Sequence, residues 1–167
     1  METKNLDIYG NAPIPWTRAR EAMLASQGPD VTFFLATVRP EAAPHVAGIG
    51  AMWVDDTLWF VSGPGTRKSR NLAANPACTI SARLPGIDVV LEGRAERVTD
   101  TATLERVAAV YRDVGWPAEV EGDAFTAPYS APSAGPPPWH LYRFTAHTGF
   151  GVATEEPHGA TRWRFDG

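Results

Sequence analysis

Leu58-Trp-Phe-Val-Ser-Gly-Pro-Gly-Thr-Arg-Lys-Ser-Arg-Asn-Leu-Ala-Ala-Asn-Pro76 organises the chain. An apolar, strand-like run over Leu58–Val61 reaches a turn made by Gly63, Pro64 and Gly65, and a short helix opens at Thr66. Arg67, Lys68 and Arg70 crowd the first turn of that helix. A helix N-terminus presents free N–H groups and partial positive charge, so it prefers acids to bases. Cations placed there are explained when an anion binds, and phosphate is the usual one, gripped by backbone N–H groups together with Lys and Arg. The other reading is a solvated turn whose charges point at water, because short anion motifs recur by chance.

Working outward, the flanking residues read as a β-meander. Val31–Val38 is rich in β-branched and aromatic residues and predicts a strand; a turn over 39–44 leads into a second strand over His45–Val54. Asp55-Asp56 turns the chain into a third strand, Thr57–Val61. Beyond the helix, Ala77–Arg83 and Asp88–Val98 predict strands four and five, the latter with one wet face. Asp100 is the expected N-cap of a helix over Thr101–Arg112. A further short helix is expected over Trp16–Ser26, with Trp16, Ala19, Met23 and Leu24 on one side. Trp139–Ala146 predicts a sixth strand and Thr148–Ala153 a seventh. The expected architecture is mainly β: a six- to seven-stranded antiparallel split β-barrel with two or three short helices. One domain is expected over 1–167, with an irregular N-terminal arm (1–15), a Pro-rich loop (130–138) and a C-terminal tail (154–167).

The composition narrows the chemistry. A net charge of −4 over 167 residues argues against nucleic-acid binding, which needs a basic face, so the anion should be small. The single cysteine, Cys78, excludes an internal disulfide framework and fits a reducing compartment; with no apolar run near ~20 residues, a cytoplasmic protein is expected. The stretch is not a nucleotide P-loop, because Arg67 stands where that pattern needs Gly before the Lys-Ser pair. His45, His140, His147 and His158 make no metal-type pair, and no metal is expected. Asp55, Asp56, Glu92 and Glu96 read as turn and wet-face residues. With acids, bases and nucleophiles showing no arranged spacing, an enzyme of this sequence needs a cofactor to carry its chemistry. Six tryptophans are many for this length and cannot all be core without partners for their N–H groups; ordinary core and turn packing is expected for most, and stacking on a planar ligand or a subunit interface for some.

Four segments together, Leu35–His45, Leu58–Ser62, Gly65–Pro76 and Val90–Asp100, resemble the pyridoxamine 5′-phosphate oxidase-like split β-barrel superfamily, and within it the flavin/deazaflavin oxidoreductase B group. The resemblance implies a homodimer with FMN or the deazaflavin coenzyme F-420 held at the interface. It implies that Arg67 and Lys68 grip the cofactor phosphate, with Thr66 at the helix start. It places His45, Val46 and Ala47 against the ring system, with Ser62 and Gly63 lining the same pocket, and it makes Trp139 and Trp163 candidates for aromatics supplied by the partner subunit. The implied activity is hydride transfer from the reduced cofactor to an unsaturated organic substrate. The alternatives are a non-catalytic flavin, haem or bilin carrier, an FMN-dependent oxidase and a purely structural barrel. The Arg- and His-bearing substrate motif of a true pyridoxamine-phosphate oxidase is replaced here by Thr161-Arg-Trp-Arg-Phe165, so the resemblance does not extend to the vitamin-B6 reaction.

Overall fold

A computed structural model describes residues 1–26, 33–129 and 135–165. In chain order its elements are β1 (Glu2–Asn5), α1 (Trp16–Ala25), β2 (Phe33–Val38), β3 (Pro44–Ile49), β4 (Ala51–Val54), β5 (Thr57–Ser62), α2 (Arg67–Ala74), β6 (Ala77–Leu84), β7 (Ile87–Val98), α3 (Thr101–Asp113), β8 (Glu119–Glu121), β9 (Ala124–Thr126), β10 (His140–Ala153) and β11 (Ala160–Arg164). Period-two alternation decides which face of each strand is wet. In β2, Phe33, Leu35 and Thr37 point inward while Phe34 and Val38 point outward. In β7, the inward set is Ile87, Val89, Leu91, Gly93 and Ala95. All the pairings are antiparallel, in the order β1-β11-β10-β7-β6-β2-β3, with β5 joined to both β10 and β4.

Two features turn this sheet into a split barrel. β10 pairs with β7 along its length, but its other edge is shared: Leu141–Phe144 pair with β5, and Thr148–Val152 pair with β11. The changeover falls at a register shift between Ala146 and Thr148, so the expected sixth and seventh strands are one bulged strand. Conversely, the single strand expected over His45–Val54 is two. It breaks at Gly50, its first half pairing with β2 and its second with β5. A bend there lets one run serve two branches of the sheet, which the local propensity of those residues does not reveal. The Asp55-Asp56 turn closes β4 onto β5 with φ of 49° and 55°, the left-handed pair a two-residue hairpin turn requires.

The N-terminal arm is not irregular throughout. Glu2–Asn5 lies antiparallel to β11, with Leu6 N–H donating to the Ala160 carbonyl at 2.8 Å. Its residues are all exposed and polar, so no alternation announces them. Between α3 and the Pro-rich loop, Glu119–Thr126 forms the β8–β9 hairpin, turned on Gly122 at φ 62°. Within the Pro-rich loop, residues 130–134 lie outside the described residues. In α1, Ala19 and Met23 are buried as expected, whereas Leu24 is exposed.

The core has two parts. Inside the barrel, Leu35, Leu58, Phe60, Ile80, Ile87 and Leu91 are buried to 1% or less exposure. Each contributes about 1.5–3 kcal/mol by leaving water. A second cluster lies under α3 and the β8–β9 hairpin, where Leu104, Val107, Ala108, Phe125 and Trp139 pack on Met52, Trp59 and Leu141. Asp100 caps α3 by accepting from Thr103 N–H at 2.8 Å, as its position predicts. Between β7 and β10 the backbones approach so closely that a Cβ on Gly93 would lie 2.1 Å from the Thr145 carbonyl oxygen.

Candidate functional site

The start of α2 is built from hydroxyls. Thr66 is the N-cap, its Oγ1 accepting from Ser69 N–H at 3.3 Å. Ser69 Oγ donates to Ser62 Oγ at 2.9 Å, Ser62 and Thr66 hydroxyls meet at 2.8 Å, and Thr66 Oγ1 donates to the Gly63 carbonyl at 2.9 Å. Thr66 Oγ1 has one proton and two acceptors for it, the Gly63 carbonyl and Ser69 Oγ at 3.1 Å, so Ser62 is the donor in the middle contact. The relay therefore runs Ser69 to Ser62 to Thr66, and from Thr66 to Gly63 or back to Ser69. Ser62 and Ser69 are buried, so these residues anchor the turn.

The helix is tied to the sheet by Asn71. Its Nδ2 donates to Thr37 Oγ1 at 2.9 Å, and Thr37 Oγ1 donates to the His45 carbonyl at 3.4 Å. Register explains the meeting: Thr37 on β2 stands opposite His45 on β3. The first turn of α2 thus faces the start of β3. Arg67 is exposed there, whereas Lys68 retains 4% exposure, and burial holds its ammonium pKa below the ordinary value. Burial also lowers the pKa of the His45 imidazole, and the charges of Arg39, Arg67 and Lys68 lower it further.

Three buried polar atoms in this region have no hydrogen-bond partner in the chain: Arg39 Nε, His45 Nδ1 and Asn71 Oδ1. Buried polar atoms are normally satisfied, so Arg39 Nε, a donor, and His45 Nδ1, a donor when the ring carries its proton there, mark a place for an acceptor, while Asn71 Oδ1 can only accept. Arg39, Thr37 and Asn71 are site residues that the reading of the sequence missed. Arg39 lies 28 positions before Arg67, and only the β2–β3 pairing carries it there.

The remaining expected residues divide. His45 and Ala47 share the inward face of β3, but Val46 between them points outward and is 59% exposed, so the three do not present one surface. Trp139 and Trp163 have no exposed surface at all. Trp139 Nε1 donates to the Gly135 carbonyl at 2.9 Å, and Trp163 Nε1 to the Ile14 carbonyl at 3.1 Å. Their assignment as aromatics reaching a cofactor in a second subunit is corrected: both rings are committed to their own chain's interior. Trp139 still bears on the site indirectly, because it holds Gly135, which packs beside Thr66.

At 100° per residue, Arg67, Lys68 and Asn71 fall on one flank of α2, and Ser69, Arg70, Leu72 and Ala73 on the other. The second flank borders a cleft of about 420 Å³ whose wall includes Pro64, Arg97, His140 and Tyr142. Burial and the Arg97 charge lower the His140 pKa there, with Asp123 opposing. Among the described residues no group of three His, Cys, Asp or Glu side chains could hold a metal ion, and no helix is long and apolar enough to cross a membrane.

A family model described as pyridoxamine 5′-phosphate oxidase matches residues 20–152. Among solved structures, the chain is similar to a pyridoxamine 5′-phosphate oxidase-related, FMN-binding protein from Nostoc punctiforme PCC 73102, at TM-score 0.59 and 16% identity over 93% of this chain and 99% of that one. It is similar to an F-420 reductase at TM-score 0.53 and 22% identity, covering 77% of this chain and 94% of that one. PhzG from Burkholderia lata 383, solved with tetrahydrophenazine-1-carboxylic acid, superposes at TM-score 0.60 and 15% identity, covering 91% and 85%. At such identities the likeness is one of fold. No curated protein matches the sequence.

Proposed function

The chain belongs to the pyridoxamine 5′-phosphate oxidase family, and from that premise we propose that it is a homodimeric, cytoplasmic oxidoreductase that binds FMN or coenzyme F-420 and reduces an unsaturated organic substrate. The observation that carries this reading is the convergence of Arg39, His45, Arg67 and Lys68 at the capped start of α2, where two buried donors have no partner. These residues fit a phosphate group, because Arg39, Arg67 and Lys68 surround the imidazole with positive charge. When bound, the flavin or deazaflavin supplies the hydride chemistry, which no arrangement of this chain's own acids and bases provides. Arg67 and Lys68 fix the phosphate end, the hydroxyl relay holds the turn, and Asn71 and Thr37 hold β3 at a set distance from α2.

A dimer is supported by the outer face of the sheet. Phe34, Ser81, Val90 and Phe150 align across β2, β6, β7 and β10, with Gly48 beside Phe34. Phe34, Val46, Val90 and Val152 are 47%, 59%, 37% and 52% exposed on this face. A largely apolar stripe of this kind, interrupted at Ser81, suits a second copy better than water.

The test is a paired titration of the purified protein with FMN and F-420, followed by anaerobic mixing of the reduced complex with a panel of conjugated acceptors. Binding of one cofactor and acceptor-dependent reoxidation are expected. Failure of both cofactors to bind refutes the reading, and tight binding without turnover replaces it with a carrier.

A further inference from the structure

His45 occupies a peculiar position: an imidazole half-buried among two guanidinium groups and a buried ammonium, with Nδ1 out of water and unpaired. Arg39, outside the glycine-turn stretch, reaches the same place with its own Nε buried and unpaired. Its turn is a defined one, since Arg39 N–H donates to the Ala43 carbonyl and Ala42 N–H to the Arg39 carbonyl, both at 2.9 Å. The backbone of His45 is held through Thr37 to Asn71 on α2, so the imidazole keeps its distance from Arg67 and Lys68. We propose that Arg39 and His45 extend the grip of Arg67 and Lys68 on a phosphate group and couple it to a proton: the phosphate accepts hydrogen bonds from Arg39 Nε and His45 Nδ1, and the imidazole takes up one proton from water as the ligand arrives. The inference rests on the phosphate reading of this site given above.

The coupling follows from the surroundings. In the ligand-free protein, burial first and then the charges of Arg39, on the β2–β3 connection, and of Arg67 and Lys68, on α2, keep His45 below its ordinary pKa and neutral at pH 7. A bound phosphate offsets that positive field and supplies an acceptor, and both changes favour the charged form. The imidazole pKa is then higher in the complex than in the free protein. By linkage, affinity is greatest below the free-protein pKa and declines as pH rises through the pKa of the complex. A phosphomonoester's own second protonation, near pH ~6, sets the lower edge of the useful window.

The decisive experiment is calorimetric titration of the wild-type chain with FMN, with F-420 and with inorganic phosphate, at pH 7 to 8, in non-phosphate buffers of different ionisation enthalpy. A buffer-dependent heat corresponding to net proton uptake is expected with inorganic phosphate and with each cofactor that binds. His45→Asn should abolish the uptake, and Arg39→Gln should weaken binding by about 10- to 100-fold, the range for a charged hydrogen bond. Binding without proton uptake, or uptake that persists in His45→Asn, overturns the inference while leaving the phosphate reading standing. Uptake with a cofactor but not with inorganic phosphate also overturns it, because the proton then belongs to the ring end. If neither cofactor nor inorganic phosphate binds, both fall.

Discussion

Replacing Thr66 with valine removes one hydroxyl while keeping the shape of the side chain, and the structure assigns that hydroxyl several tasks. It caps α2 by accepting from Ser69 N–H at 3.3 Å, and it accepts the Ser62 proton at 2.8 Å. Loss of a threonine cap costs about 1 kcal/mol. Ser62 has no exposed surface, so its O–H loses its acceptor without gaining water, at about 1–3 kcal/mol for a buried unsatisfied group. The Gly63 carbonyl keeps a donor, because Thr66 N–H still reaches it at 3.1 Å, and adds nothing to the sum. The expected loss is therefore about 2–4 kcal/mol. Urea unfolding followed by tryptophan fluorescence measures it, at one fixed protein concentration because a dimer's stability depends on concentration. Thr66→Ser should restore most of the loss. A Thr66→Val variant within about 0.5 kcal/mol of wild type, the scatter of ordinary surface changes, refutes the relay as a structural element. A Thr66→Ser variant as unstable as Thr66→Val would show that the methyl, which packs beside Gly135, matters more than the oxygen.

Three further outcomes are expected. Burial depresses the Lys68 pKa, so the unfolded chain binds more protons than the folded one between that lowered value and the ordinary 10.5, and stability rises with pH through this window. Lys68→Met should remove that pH dependence and lower phosphate affinity about 10- to 100-fold; unchanged affinity by calorimetric titration would contradict the assignment. Gly93→Ala places a methyl carbon against the Thr145 carbonyl oxygen and the Phe144 ring, so a loss of about 3 kcal/mol or more is expected by thermal unfolding, and a near-neutral result would mean that β7 and β10 can separate. Burial pushes the Cys78 thiol up to about 12, so a disulfide reagent at pH 8 should leave the native protein unmodified and label one thiol per chain in urea.

The fold was largely legible because its signals are local. Alternation in Phe33–Val38 and Ile87–Val98, the caps Thr66 and Asp100, and the left-handed Asp55-Asp56 turn each depend on residues within a few positions of one another. The misreadings fell where a local signal was absent or ambiguous. Glu2–Asn5 is a strand because β11 offers it an edge, not because of its own polar residues. A run that reads as one strand, His45–Val54, is divided because its halves have different partners, and two runs that read as separate strands are joined in β10 by a bulge.

The candidate site divides in the same way. The proposal that Arg67 and Lys68 bind an anion starts from the sequence, since three cations at a helix start are out of place by the helix's own electrostatics. That Arg39 and His45 join them was not visible, because it depends on the register of β2 against β3, and a slip of one residue would turn His45 outward. Residue type predicted that the tryptophans need partners, but only packing could show that Trp139 and Trp163 find theirs within the chain. Chain-local chemistry determined which elements form and where the proposed phosphate grip begins. Pairing between residues tens of positions apart decided which side chains complete that grip, because a side chain's face and neighbours are properties of the assembled sheet rather than of the strand that carries it.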